Sequence, residues 1–397
     1  TLFRSLLSLL VTRSRRLDLA EDSLGEAFAR AAATWPTTGC PNNPAAWLYT
    51  TAWRQLLGGL RAEAMRGRKA PLLAVGAQWT EPPATGELGE LDDDRLALIL
   101  LCCHPALDPR SRSPLALRLI IGTSTAEIAR LFLVPTATMA ARLTRAKKKI
   151  VVAGIPLAAP ADEELRSRLN DVCRTIYLAF TAGYTPGKGP DLVRSDLAGD
   201  AVRLALILRR LVPTEPQVTA LAGLLVLQHA RRDARVDFGR LVTLPEQDRT
   251  RWHADEIDAG LTLIGTIQRS DGYAEELRLQ ALIAAEHATA TIASDTQWHV
   301  IAGYYEQLET LTGSPVVRLN RAVAVAQDQG PRAGLSLLDE LDQHLADNHR
   351  LHAVRAELAR EAGDLDLAGT SYKRALDLCT NAVEADHLRA RLAALDV

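Results

Sequence analysis

The 397-residue sequence contains no run of about 18 apolar residues, so it offers no membrane-spanning helix. Aromatic residues make up only 5% of it, while Ala, Leu and Arg are abundant. That mixture favours helices, because these side chains lose little freedom in one. Net charge is almost absent, at −2. No global field draws the chain to a polyanion, and any nucleic-acid contact has to come from a local patch. Cysteines are few and odd in number: Cys40, Cys102, Cys103, Cys173 and Cys379. Their scatter suits reduced thiols in a cytosol and argues against a disulfide framework. The opening stretch, TLFRSLLSLLVTRSRR, lacks the small-residue cleavage site of a signal peptide. It also lacks a Met, so the natural N-terminus is expected to extend further. Nucleophile elbow, phosphate-binding loop and zinc signature are all missing, so no catalysis, cofactor or metal is expected.

What is present is a succession of helical patterns broken by turn residues, long enough for two or three domains. Leu17, Leu24, Phe28 and Ala31 recur at close to helical spacing. PTTGCPNNP interrupts them, and a second helix resumes with Pro44 suited to its first turn. Between Ala70 and Asp94 the periodicity stops. That stretch carries Glu81, Glu87, Glu90, Asp92, Asp93 and Asp94 and no Lys or Arg, which reads as an acidic linker. Helical pattern returns at RLALILLCCHPAL. Adjacent Cys102 and Cys103 would point about 100° apart on a helix, a poor arrangement for one metal, so they read as core thiols before a helix-ending His104. Another helix follows, with Ser113 as its expected N-cap and Pro114 as its first residue.

From Thr125 to Phe132 a short helix is predicted, with Ala126, Ile128, Ala129 and Phe132 on its apolar face. Leu133, Val134 and Pro135 form a turn. A second helix runs on from Thr136, with Met139, Ala140 and Leu143 inward and Thr136, Thr138, Arg142 and Arg145 outward. This is helix-turn-helix geometry, in which the second helix enters the DNA major groove by its N-terminal end. From Thr136 to Ile150 there are five basic residues and no acidic ones. Early residues can reach base edges, while Lys147, Lys148 and Lys149 are placed to grip phosphates.

After the break GIPLAAPADEE the chain is again helical to its end. Gly330 and Gly363, 33 residues apart, each centre a helix-turn-helix unit resembling a tetratricopeptide (TPR) repeat, whose period is about 34. Ala333 with Leu337 corresponds to Ala368 with Tyr372. Two units are too few for a free-standing solenoid, so they should stack on preceding helices. In the middle of this extension His229, Arg231, Arg232, Asp237, Arg240, Arg249, Arg251 and Trp252 cluster. They read either as a surface salt-bridge network or as a small-molecule or partner site.

DLAEDSLGEAFARA, then NPAAWLYTTAWRQLLGGLR, then the helix-turn-helix occur in an order and at distances that resemble the extracytoplasmic-function (ECF) sigma factors of bacterial RNA polymerase. DDDRLALILLCCHPAL and the helix-turn-helix are similar to one ECF subgroup with a TPR-like C-terminal extension. SPVVRLNRAVAVA and EQDRTRW carry the resemblance into that extension. It implies an all-α protein: a sigma-2 domain over residues 1–66, an acidic linker over 67–91, a sigma-4 domain over 92–152, a linker over 153–165 and a helical extension over 166–397. Asp22, Glu26 and Phe28 would dock on the polymerase clamp. Trp47, Trp53, Arg54 and Arg61 would face the −10 element. Thr136, Thr138, Arg142, Arg145, Lys147, Lys148 and Lys149 would serve the −35 element, with sigma-4 also contacting the polymerase flap. The acidic linker would thread near the active-site cleft, and an Asp-x-Gly-Arg motif of the subgroup is matched by Asp237, Gly239 and Arg240.

The chain departs from the family where Gly25 replaces a usual Gln, Trp53-Arg54 a usual Arg-Asn pair, and Gly58 a usual Asp. Ala140 and Ala141 replace common Lys and Ser, and Pro114 an apolar helix residue. The expectation is a cytoplasmic, non-enzymatic sigma factor whose partners are core polymerase, promoter DNA and a protein bound by the repeats, and whose extension tunes its activity. The alternatives are a helix-turn-helix regulator with a TPR-like sensor, and a scaffold whose sigma domains have decayed.

Overall fold

The computed structural model describes residues 2–14, 16–67, 91–132, 134–155, 162–184, 195–237 and 240–395. Most of the acidic linker, part of the second linker, Leu133 and Gly239 therefore lie outside the described residues. The described chain is all-α apart from a two-residue hairpin, β1 (Val236–Asp237) antiparallel to β2 (Arg240–Leu241). It divides into two compact units, Thr1–Leu178 and Ala179–Val397. Among the described residues no helix is long and apolar enough to cross a membrane.

The first unit begins with α1 (Leu2–Ser14), α2 (Leu17–Thr38) and α3 (Pro44–Gly67), which pack on one another. Leu17, Leu24 and Ala31 of α2 are buried with Leu48 and Leu56 of α3, as the helical spacing predicts, and Pro44 opens α3. Then come α4 (Leu91–Cys102), which packs on α1, and α5 (Pro109–Ala116). Helix α5 starts earlier than Ser113. Asp108 caps it by accepting from the Arg110 amide, Pro109 takes the first turn, and Ser113 and Pro114 are buried inside the helix. The Asp108 carboxylate takes the cap, while the Ser113 side chain is buried and meets the Thr175 hydroxyl instead of a helix amide. Past Pro114 the helix loosens into a π turn over Leu117–Ile121.

Helix α6 (Thr125–Leu131) is closed by a capping box: Ser124 accepts from the Glu127 amide and the Glu127 carboxylate accepts from the Ser124 amide. Helix α7 (Thr136–Val152) follows, burying Met139, Leu143, Ala146 and Ile150. Ala126 and Ala140, expected inward, are exposed. A methyl group buries too little area to set the phase of a short helix, and the larger Ile128, Met139 and Leu143 set it instead. Helix α8 (Asp162–Tyr184) contributes its length up to Leu178 to this unit.

In the second unit α9 (Ser195–Leu211) and α10 (Pro216–His229) lead to α11 (Ala254–Gly265) and α12 (Gly272–Thr289). Every residue from Val218 to Leu227 is buried, which makes α10 the central helix. Gly223 of α10 and Gly260 of α11 let the two backbones close up: a Cβ on Gly260 would sit 2.7 Å from Leu227. The chain continues through α13 (Trp298–Thr312), α14 (Pro315–Gln329), α15 (Pro331–Ser336) and α16 (Asp342–Leu345). It ends with α17 (His349–Glu361), α18 (Leu365–Leu378) and α19 (Ala382–Ala393). The turns α14–α15 and α17–α18 are made by Gly330 at φ +97° and Gly363 at φ +82°, a region costly for any residue with a Cβ. The expected correspondence is one residue out: Ala333 and Leu337 are only partly buried, and Gly334 and Leu338 hold the buried positions instead. Ala368, Tyr372 and Ala375 are buried, and Gly334 lies so close to α14 that a Cβ would meet the Ala322 carbonyl at 2.6 Å.

Candidate nucleic-acid interface

Helices α6 and α7 present the basic face that the sequence predicts. Thr136, Thr138, Arg145, Lys148 and Lys149 are exposed along α7. Two other cations of this helix are engaged inside the unit. Lys147 Nζ sits 2.5 Å from Glu21 Oε2 on α2, and both side chains are only about a quarter exposed, 26% and 22%. Arg142 donates through Nη1 to the backbone carbonyl of Arg110, 3.3 Å away. That carbonyl is available for a reason. In an α-helix it would accept from the amide four residues on, and that residue is Pro114, which has none. Pro114 in α5 thus leaves open the acceptor that holds an arginine of α7.

On α2, Asp22 and Glu26 are exposed and make no ion pair among the described residues. Phe28 is half-buried against Phe3, with ring centroids 5.3 Å apart. On α3, Arg54 and Arg61 are exposed. Trp47 is half-buried, edge-on to Trp35 at 5.5 Å, and Trp53 stacks on Tyr49 at 6.1 Å. A Cβ added at Gly25 or at Gly58 would meet nothing within 4 Å, so both sites have room for a side chain.

Helix α8 braces this region. Buried Arg168 donates to the Leu100 carbonyl at 3.0 Å, near the end of α4, and pairs with Glu164. Arg112 of α5 meets Asp171 at 2.5 Å. The Thr175 hydroxyl donates to the Asp171 carbonyl at 2.7 Å and lies 3.1 Å from the Ser113 hydroxyl and 3.8 Å from Cys103 Sγ. Cys102 and Cys103 are fully buried. Burial pushes the Cys103 thiol up to about 12 and raises Cys102 as well, so both are inert thiols. His104 ends the segment, and its Nδ1 accepts from the Ala106 amide at 3.1 Å.

In the second unit much of the predicted charged cluster is joined by ion pairs and hydrogen bonds. Arg232 and His229 share Glu256 at 2.7 and 2.9 Å, His253 meets Asp233 at 2.7 Å, and Arg251 lies 3.5 Å from Asp237. Asp237 is exposed, whereas Gly239 and the Arg240 side chain lie outside the described residues. Arg231 and Arg249 flank the Trp252 ring, at 5.8 and 4.5 Å. His349, Cys379 and Glu384 also bring one metal-ligand atom each within 4.8 Å of one another. His349 is bonded to Glu384 at 2.8 Å and the Arg350 guanidinium is 3.4 Å away, so the carboxylate's charge is already met.

Sequence reasoning did not identify Glu21, the Arg110 carbonyl, Arg168 or Asp171. Only Pro114 inside an apolar helical run carries a local signal, the orphaned carbonyl it implies.

Residues 97–150 match the family described as sigma-70, region 4. Residues 168–268 match a family of unknown function, DUF6596, whose span starts within α8. The chain is 39% identical over 382 residues to an uncharacterized protein of Rhizobium meliloti (strain 1021), covering 95% of this chain and 90% of that one. No solved structure matches the chain.

Proposed function

The chain belongs to one family with the uncharacterized Rhizobium meliloti protein, and from its sigma-70 region 4 domain we propose that it is an RNA polymerase sigma factor of the extracytoplasmic-function kind. The observation that carries this reading is a region 4 helix-turn-helix with an exposed basic helix, preceded in the same compact unit by an acidic face on α2. On this reading Asp22 and Glu26, four residues apart on one exposed helical face, make the clamp contact, which a regulator that binds DNA alone does not need. On this reading residues 1–66 act as sigma-2, binding the clamp of core polymerase and melting the −10 element through α3. Residues 92–152 act as sigma-4, reading the −35 duplex through Thr136, Thr138, Arg142 and Arg145 and gripping phosphates through Lys147, Lys148 and Lys149. The polymerase, in the cytoplasm, supplies the chemistry. Residues 166–397, with TPR-like helix pairs near 314–379, tune the activity and bind a protein partner.

The pairing of Lys147 with Glu21 and of Arg142 with Arg110 supports a further point. Promoter engagement begins with release of these two cations from contacts inside the first unit.

Transcription from selected promoter fragments with purified core polymerase tests the proposal. The wild-type chain should yield promoter-dependent transcripts. The Asp22→Ala, Glu26→Ala double variant should fail to co-purify with core while keeping its helical content. A wild-type chain that binds duplex DNA but neither core nor a transcribing complex would leave only the helix-turn-helix regulator.

A further inference from the structure

We infer that the second unit holds a binding site for a small planar organic anion, an aromatic carboxylate or phosphate ester, between Arg249, His287 and Trp298. The site is a cavity of about 360 Å³, within the range of small-molecule sites. Leu244, Pro245 and Trp298 are the bulky apolar residues of its lining.

Charge decides the ligand class. Arg232, Arg251, Arg278 and Arg391 of this unit each have a carboxylate within ion-pair distance. Arg249, which lines the cavity, has none among the described residues. Its Nη1 donates to the carbonyls of His287 and Ala290, at 2.7 and 2.6 Å, at the C-terminal end of α12. That use alone is helix capping. It leaves Nε and Nη2 without a partner among the described residues, two parallel donors of the kind that bind a carboxylate or phosphate side-on. A second guanidinium, that of Arg231, shares the Trp252 ring with Arg249 and adds positive charge beside it.

His287 is the second unmet group. Its ring stands edge-on to Trp298 at 5.3 Å, and neither ring nitrogen has a hydrogen-bond partner among the described residues. Burial first, then the charges of Arg231 and Arg249, lower its pKa to about 4. The neutral imidazole keeps one N–H to give to an anion, and Thr296 adds a hydroxyl to the lining. An anionic head on Arg249 and His287 would place its ring against Trp298. The site stands independently of the reading of the first unit as a sigma factor.

The test titrates the full-length chain with benzoate, phenyl phosphate, benzamide and inorganic phosphate, following tryptophan fluorescence and heat. Benzoate and phenyl phosphate should saturate, with benzamide at least about tenfold weaker because it cannot form the charge-assisted pair. Inorganic phosphate should be weaker than phenyl phosphate, because it leaves Trp298 uncovered. Arg249→Met should weaken benzoate by about tenfold or more. Because Arg249 also caps α12, Trp298→Leu gives a second variant that leaves the cap in place and should weaken the aromatic anions selectively. Bound benzoate should raise the His287 pKa measured by NMR, a change that a purely structural histidine would not show. Absence of saturable binding by both aromatic anions, equal affinity for benzamide and benzoate, or an unmoved His287 pKa at saturation would each overturn the assignment.

Discussion

Replacing Glu21 by Gln should free the recognition helix. Lys147 and Glu21 meet at 2.5 Å with about a quarter of each side chain exposed, 26% and 22%. Fully exposed pairs contribute about 0.2–1 kcal/mol, because water screens them and two long side chains must be held still. Deeper pairs gain more Coulomb energy but cost more to desolvate. At this depth the pair should stabilise the closed contact by about 1 kcal/mol, the upper end of the exposed range. Since about 1.4 kcal/mol is tenfold, the variant should bind promoter duplex about fivefold more tightly. Fluorescence anisotropy at fixed salt measures this, and a double-mutant cycle isolates the cause. If the gain comes from releasing Lys147, it should vanish in a Lys147→Met background. A gain that persists there would show that Glu21 acts only by repelling DNA. Wild-type affinity in the single variant would show that the contact restrains nothing.

Pro114→Ala should return an amide to the Arg110 carbonyl, release Arg142 and sharpen discrimination between −35 sequences; an unchanged ratio of specific to non-specific affinity would count against Arg142 as the reader. A chain ending at Ile155 should lose the bracing of α8, so Cys102 and Cys103 should turn reactive to a thiol reagent at neutral pH, whereas in the full chain they stay silent. The same truncation should change transcription from the wild-type promoters, and an identical rate would assign the extension to a separate task. Finally, unfolded His287 protonates near its ordinary 6.5, while the native imidazole stays neutral down to about 4. Across that window the unfolded state binds the extra proton, so stability falls as pH falls. Denaturant melts should show that slope flatten between those limits in His287→Gln.

The helix-turn-helix is legible in the sequence because its causes are local. Ser124 and Glu127 are three residues apart and cap each other, and Met139, Leu143, Ala146 and Ile150 repeat at helical spacing. The glycine turns at Gly330 and Gly363 are legible for the same reason, since a positive φ is a demand on one residue. Where two local signals compete, as Asp108-Pro109 against Ser113-Pro114, the sequence misplaces the helix start, because the Ser113 side chain is turned inward to Thr175, a contact 62 residues away. Ala126 and Ala140 fall on the other side from that expected because a methyl group weighs too little to mark a face.

The sequence by itself determined the all-α class, the helix-turn-helix unit and its basic face, because spacing, capping and charge are written within one or two turns. Only the tertiary structure decided which of those charges are free. Lys147 meets Glu21 across 126 residues of chain, and Arg168, Asp171 and Thr175 reach back about 60 to 70 residues to brace α4 and α5. Likewise, folding brings Arg249 and His287, from one turn and one helix end, to the same cavity, with donors that have no partner among the described residues. Contacts of that separation leave no period in a sequence, because they are set by how apolar faces close on one another rather than by neighbours along the chain.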